Sequence, residues 1–204
     1  MKRLSLFILT FVSVITTAQA AGPTNLFGQE TAAVIDSGTF QLDLMGSGNS
    51  HLRMGAFGGE TILNISNSTA QYKIDTSKNL ALHGGLGINT PVAGNSTTTL
   101  IVGAAYTMKQ DQFILNANPV LSNSAGNTII NLGLGAFMPF KAESFQGKLM
   151  GGLVLNLPVS PGGNSSFLLG LRWDAKPGLS LEAGLYNSAS GLQFPGLLRI
   201  NYTL

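Results

Sequence analysis

From Thr39 to the end of the chain, apolar side chains fall on alternate positions, and polar or small residues fill the positions between them. A period of two is the mark of a β-strand, whose successive side chains point to opposite faces. Twelve segments carry it: 39–46, 51–57, 61–66, 69–75, 79–88, 97–108, 112–121, 127–138, 146–156, 165–175, 178–187 and 196–204. In 97–108, Leu100, Val102, Ala104, Tyr106 and Met108 share one face and oppose threonines and Gly103. In 165–175, Phe167, Leu169, Leu171 and Trp173 oppose Ser166, Gly170, Arg172 and Asp174.

The connections fall into two classes that alternate along the chain. Gly58-Gly59, Asp75 to Lys78, Lys109 to Asp111, Lys141 to Ser144 and Ala175 to Gly178 are tight. Asn89 to Ser96, Ser122 to Gly126, Leu157 to Ser165 and Asn187 to Gly196 are longer and rich in Gly, Asn, Ser and Pro, with Gly46 to Ser50 and Asn67-Ser68 as short members of the class. Tight turns at one end and longer loops at the other are the layout of a membrane β-barrel. Merging 51–66 into one strand breaks the alternation, so twelve strands are predicted, with ten or eight as alternatives.

A soluble β-sandwich also alternates. Three features separate the two. The polar face is built from Gly, Asn, Ser and Thr and holds few Lys or Glu. The segments approach the roughly 9–11 residues of a tilted membrane-crossing strand. Aromatic residues sit beside turns or near segment ends: Phe40, Tyr72, Tyr106, Phe113, Phe140, Phe145, Phe167, Phe194 and Tyr202. Such rings form girdles at the two interfaces of a bilayer. No run after residue 20 reaches the roughly 18 apolar residues of a membrane-crossing helix.

Residues 1–20 read as a secretory signal peptide. Lys2 and Arg3 form the basic start, Leu4 to Thr16 is the apolar stretch, and Ala18-Gln19-Ala20 is an A-x-A cleavage site after Ala20. The full chain has 11 Lys+Arg and 9 Asp+Glu; removing Lys2 and Arg3 leaves nine of each. A neutral chain gives no reason to expect nucleic acid as a partner. Charged residues are 10% of the chain, well under the roughly 25% of a soluble domain. The absence of cysteine excludes a lipid-bearing N-terminal Cys, a disulfide framework and thiol chemistry. Residues 21–36 lie outside the alternating pattern; Glu30 to Val34 is read as a short helix or an extended lead-in, and a plain periplasmic tail is preferred over a plug in the lumen. Residues 37–204 form the barrel domain.

The chain resembles the small outer-membrane β-barrel proteins of Gram-negative bacteria. The resemblance is carried by the signal peptide, by the alternating segments and by the ending Leu198-Arg199-Ile200-Asn201-Tyr202-Thr203-Leu204, and it covers residues 37–204. In that family the last strand ends the chain with apolar or aromatic residues at alternate positions. Tyr202 and Leu204 fit this pattern. The usual final Phe is Leu204 here, and Arg199 stands where glycine is frequent. The resemblance implies an antiparallel closed barrel in the outer membrane, both termini on the periplasmic side, lipid around it, and recognition of the last strand by the barrel-assembly machinery. It implies neither a solute nor an oligomeric state.

The predicted lumen face collects most of the charges: Asp43, Arg53, Glu60, Lys73, His83, Lys148, Arg172, Asp174, Glu182 and Arg199. They either pair across strands, as buried charges must, or line a pore and set its ion preference. His51 and His83 are the residues to test for catalysis, which needs a nucleophile, a base and an orienting group within reach. Ser50 and His51 are neighbours in a strand and so face opposite ways, and no serine stands at a telling spacing from His83. Gly84-Gly85-Leu86-Gly87 and Gly133-Leu134-Gly135 lack the helix and Lys-Ser/Thr of a phosphate loop. No metal or cofactor motif is present. The expected role is passive, a narrow channel for small solutes or a structural membrane protein; a surface-binding barrel is the alternative, and an outer-membrane acyl enzyme a weaker one.

Overall fold

The computed structural model describes residues 23–45, 50–65, 68–89, 96–110, 112–142, 146–161, 165–188 and 191–203. The signal segment with Ala18 and Ala20, the aromatic Phe145 and the terminal Leu204 lie outside them. A short hairpin comes first, β1 (Asn25–Leu26) and β2 (Gln29–Glu30). Twelve longer strands follow. They are β3 (Phe40–Met45), β4 (His51–Ala56), β5 (Gly59–Asn64), β6 (Thr69–Ser77), β7 (Leu80–Asn89) and β8 (Thr97–Gln110). The rest are β9 (Phe113–Ser124), β10 (Asn127–Phe140), β11 (Lys148–Pro158), β12 (Ser166–Lys176), β13 (Leu179–Ser188) and β14 (Gly191–Thr203). Each pairs antiparallel with its sequence neighbour, and β14 pairs with β3, so the sheet closes into a twelve-stranded barrel as the alternation predicts.

Alternation fixes what each face presents. Leu86, Val102, Leu134, Leu169, Leu171 and Leu198 point outward and are exposed, while Arg53, Glu60, Lys73, Glu182 and Arg199 point inward and are fully buried. The pattern is that of a water-soluble protein turned inside out. Phe40, Phe113 and Phe140 stand outward at the end residues of β3, β9 and β10, and Tyr202 sits one residue from the end of β14, all at one end of the barrel. We call this the turn end: the two-residue connections Phe57-Gly58, Lys78-Asn79 and Pro177-Gly178 lie here. The opposite end is the loop end.

Three expectations about connections are corrected. Residues 122–126 are not a loop: β9 and β10 run on to a two-residue turn, Ala125-Gly126, with φ of 50° and 82°. Two positive φ values give the hairpin turn whose twist matches the strands. Residues 187–196 are not a loop either. The last strand starts at Gly191, and an irregularity between Gly184 and Tyr186 of β13 lets β14 take up its extra residues. The connection over residues 141–147, predicted as tight, is as long as any at the loop end.

The largest correction concerns residues 23–36. They are neither a helix nor a tail outside the barrel. The segment enters at the turn end and places the β1–β2 hairpin inside the lumen, with Leu26, Phe27, Thr31, Ala32 and Ala33 buried. Polar residues scattered without long periodicity gave no strand signal, because a two-residue strand is too short to show one.

Candidate functional site

The candidate site is the lumen, closed at mid-height by the hairpin. Register builds its wall. Arg172 lies opposite Glu182, Glu182 opposite Arg199, and Glu60 opposite Lys73. Asp43 and Arg53 supply the strands between. Seven adjacent strands, from β12 through β14 to β3 and on to β6, thus contribute one charge each, and the sign alternates throughout: Arg172, Glu182, Arg199, Asp43, Arg53, Glu60, Lys73.

The pairs form along this belt. Arg172 Nη1 meets Glu182 at 2.8 Å and Arg199 Nη1 meets it at 3.6 Å. Arg199 also pairs with Asp43, which accepts from Arg53 Nε at 2.9 Å. Arg53 Nη1 lies 2.5 Å from Glu60, and Lys73 Nζ lies 3.3 Å from the same carboxylate. Asp174 holds Arg172 Nε at 2.7 Å. A buried charge is tolerated only with a partner, and here each has one or two on neighbouring strands. The wall holds four cations and four anions and is neutral by itself.

The hairpin brings one more charge. Glu30 pairs with Arg53 and sits 2.8 Å from Lys73 Nζ. Burial alone would push the Glu30 carboxyl up, but the positive charges of Arg53 and Lys73 outweigh it and hold it well below the usual carboxylate range. Asn25, register partner of Glu30, lies on the same face of the hairpin and accepts from Arg199. The wall also takes up the hairpin's backbone. Lys73 Nζ donates to Thr24 O at 3.0 Å, Asn116 Nδ2 to Glu30 O at 2.9 Å, and Ala32 N to Thr107 Oγ1 at 2.8 Å.

The rest of the hairpin meets the apolar side of the barrel. Leu26 and Phe27 pack with Ile114, Phe137, Met150, Val154 and Leu168 on β9 to β12. The Phe27 and Phe137 rings stack with centroids 5.6 Å apart. Glycine makes the room: a Cβ on Gly152 would lie 2.5 Å from the Phe27 ring, and one on Gly170 2.6 Å from it. Phe27 itself takes φ of 49° before Gly28 at 84°, so this tip is a two-residue turn of the same kind as Ala125-Gly126.

Of the ten predicted lumen residues, Asp43, Arg53, Glu60, Lys73, Arg172, Glu182 and Arg199 form the belt. Asp174 flanks it and is half-exposed. Lys148 is exposed and lines a cavity of about 1050 Å³ at the turn end, together with Thr24, Ile35, Met150 and Arg172. His83 ends the arc beside Lys73 in register, with Nδ1 3.1 Å from Gln71 Oε1 and Nε2 3.4 Å from Asn118 Nδ2. His51 contacts Asn64 at 2.9 Å. Both imidazoles sit among carboxamides, an arrangement that orients them. Among the described residues no group of His, Asp and Glu has the spacing of a metal site.

Sequence reading missed Asn25, Phe27, Glu30 and the inward apolar residues. One signal was available. Ala136-Phe137-Met138, Leu153-Val154-Leu155 and Phe167-Leu168-Leu169 interrupt the alternation on three consecutive strands. A lumen that needs apolar side chains at one level needs something apolar to cover them.

Two outcomes follow from this geometry. Arg53→Leu takes one partner from each of three carboxylates, leaving Asp43 to Arg199 and both Glu30 and Glu60 to Lys73. This uncompensated buried charge should lower barrel stability by about 3–5 kcal/mol in urea unfolding, whereas Glu30→Gln leaves every wall pair intact and should change it far less. Gly170→Leu should evict Phe27. The chain has no cysteine, so a Thr31→Cys probe reports directly: slow maleimide labelling in the parent barrel and fast labelling with Gly170→Leu. Equal rates would mean that the glycine seat does not hold the hairpin.

Comparison of the chain with protein-family models, with curated proteins and with solved structures returns no match.

Proposed function

We propose that the chain is an outer-membrane barrel of a Gram-negative-type bacterium and acts as a narrow passive channel for small solutes, closed at rest by its own hairpin. The observation that carries the membrane reading is the inverted surface. Exposed leucines and valines ring the outside while the charged residues of the belt are sealed inside. In water that outer face would cost about 25 cal/mol for each Å² left exposed; in hydrocarbon it is at home, and closure leaves no edge of unpaired backbone. Export by residues 1–20 and assembly through the last strand, with Tyr202 and Leu204, belong to the same reading. Pro23 and Thr203 both line the turn-end cavity, which sets the start and end of the barrel on one side, here taken as the periplasm.

The channel reading rests on the charge arrangement. Because the wall belt compensates itself, removing Glu30 leaves no wall cation without a carboxylate. The hairpin is therefore separable from the barrel in electrostatic terms. Twelve strands enclose a lumen between those of filled eight-stranded barrels and open 16-stranded porins. With the hairpin withdrawn, a belt of alternating sign favours neither cations nor anions strongly.

The bilayer test of the membrane reading is a pair of arginines. Leu134→Arg on the outer face should cost about 2–4 kcal/mol of stability in lipid, and Asn131→Arg on the inner face should cost little. The channel test is planar-bilayer conductance of residues 21–204. The parent should stay mostly closed, and Phe27→Ser/Glu30→Gln should open in discrete steps that Arg172 or Lys148 substitution alters. Silence of a correctly folded double variant would leave a structural role instead. Acid should open the parent. The depressed Glu30 carboxyl contributes stability above the ordinary carboxylate value and loses it as pH falls through its folded value, so closure should hold from about pH 5 to 8 and fail only in stronger acid.

A further inference from the structure

The charges of this chain are confined to the hairpin, the belt and the turn side of the belt. Nine basic and nine acidic residues remain once Lys2 and Arg3 are set aside. Each belongs to the hairpin, to the belt, or to the strand ends and connections on the turn side of the belt. The sequences joining strands at the loop end, 46–50, 65–68, 90–96, 125–126, 159–165 and 189–190, hold no Asp, Glu, Lys or Arg. Neither do the inward positions between the belt and that end.

Polar groups recur among those inward positions, between glycines and the apolar Ile62, Ile101 and Val120. Gln71, Thr99, Ser122, Asn131, Asn156 and Tyr186 face the lumen on six strands, and all but the exposed Asn131 are half-buried. Asn156 Nδ2 donates to Ser166 Oγ at 3.3 Å, so neighbouring groups already bond laterally. We call the lumen on the loop side of the hairpin the chamber; Tyr186, facing it, packs against the hairpin's apolar cluster.

Chemistry of this kind selects by charge. An ion leaving water for the chamber gives up hydration and meets no opposite charge before the belt, a net loss. A hydroxyl gives up the same kind of hydrogen bond it regains, because amides and hydroxyls offer donors and acceptors in the same small space. The belt below serves the same solute, presenting a carboxylate and a guanidinium or ammonium side by side. Resting on the channel reading above, we infer that the solute is small, uncharged and polyhydroxylated, of sugar or polyol class, and enters from the loop end.

Three probes of one size and different charge decide it: glucose, gluconate and protonated glucosamine. Proteoliposomes carrying the folded Phe27→Ser/Glu30→Gln barrel are mixed with each, and uptake is read from swelling. Folding is verified first by the heat-dependent shift on a denaturing gel. Glucose should enter faster than either charged analogue by about tenfold or more. Asn131→Asp/Ser122→Asp should raise the ratio of glucosamine to gluconate uptake by about tenfold. Equal uptake of the three probes would overturn the inference and leave a size sieve. Ion conductance without glucose uptake would also overturn it while keeping the channel. A folded barrel that passes no ion and no probe removes both.

Discussion

A charge inside a closed barrel cannot turn outward to water, and the rest of this structure depends on how that constraint is met. The solution here is lateral. Neighbouring strands carry opposite charges at one level, so that each guanidinium or ammonium finds a carboxylate on the next strand. Register must hold for this to work, since a slip of one residue moves a side chain to the other face. The belt is thus both a consequence of the strand pairing and a reason for it. Its energy as stabilisation is modest, because pairing offsets desolvation more than it exceeds it. Its effect on which pairing is tolerated is large.

The hairpin is fitted to a lumen divided the same way. One face, Asn25 and Glu30, meets the charged arc; Leu26 and Phe27 meet apolar residues of the facing strands. Six residues folded as a two-stranded turn have no stability alone. Their order comes from the wall, which supplies donors and acceptors for the hairpin backbone and a glycine-lined seat for Phe27. A plug built in this way is bound by many small contacts and one charge, rather than woven into the sheet. That makes withdrawal a matter of local contacts, with the barrel left whole.

The architecture was legible because one physical signal dominates it. Alternation separates two solvents so completely that strand number, order and most boundaries can be read from it. The lumen charges were legible for the same reason, as polar interruptions on a known face, although their alternation of sign emerges only when register is known. Three things were hidden. The early start of β14 was masked by Pro195 and Gly196, which read as loop, whereas a strand with irregular pairing accommodates them. Phe137, Val154 and Leu168 looked like noise in the pattern, since their reason for facing inward is a segment more than a hundred residues away in sequence. The hairpin itself is too short for any periodicity, and only its Phe-Gly tip repeats a local rule visible elsewhere in the chain.

The pairing of β14 with β3 joins the last strand of the barrel to the first, and it rests on five residue pairs, Arg199 with Met45 through Thr203 with Gln41. The contact between Asp43 and Arg199 crosses this seam and links positions 156 residues apart. Contacts of such separation form late, after the loop-closure entropy of the whole chain has been met. The final step of assembly is therefore guided by only five backbone pairs. An acid on one lip and a base on the other give that step a check on alignment, because a closure offset by one residue would turn one of the two charges toward the apolar outer face. The barrel carries a proofreading clasp at the seam that joins its two ends.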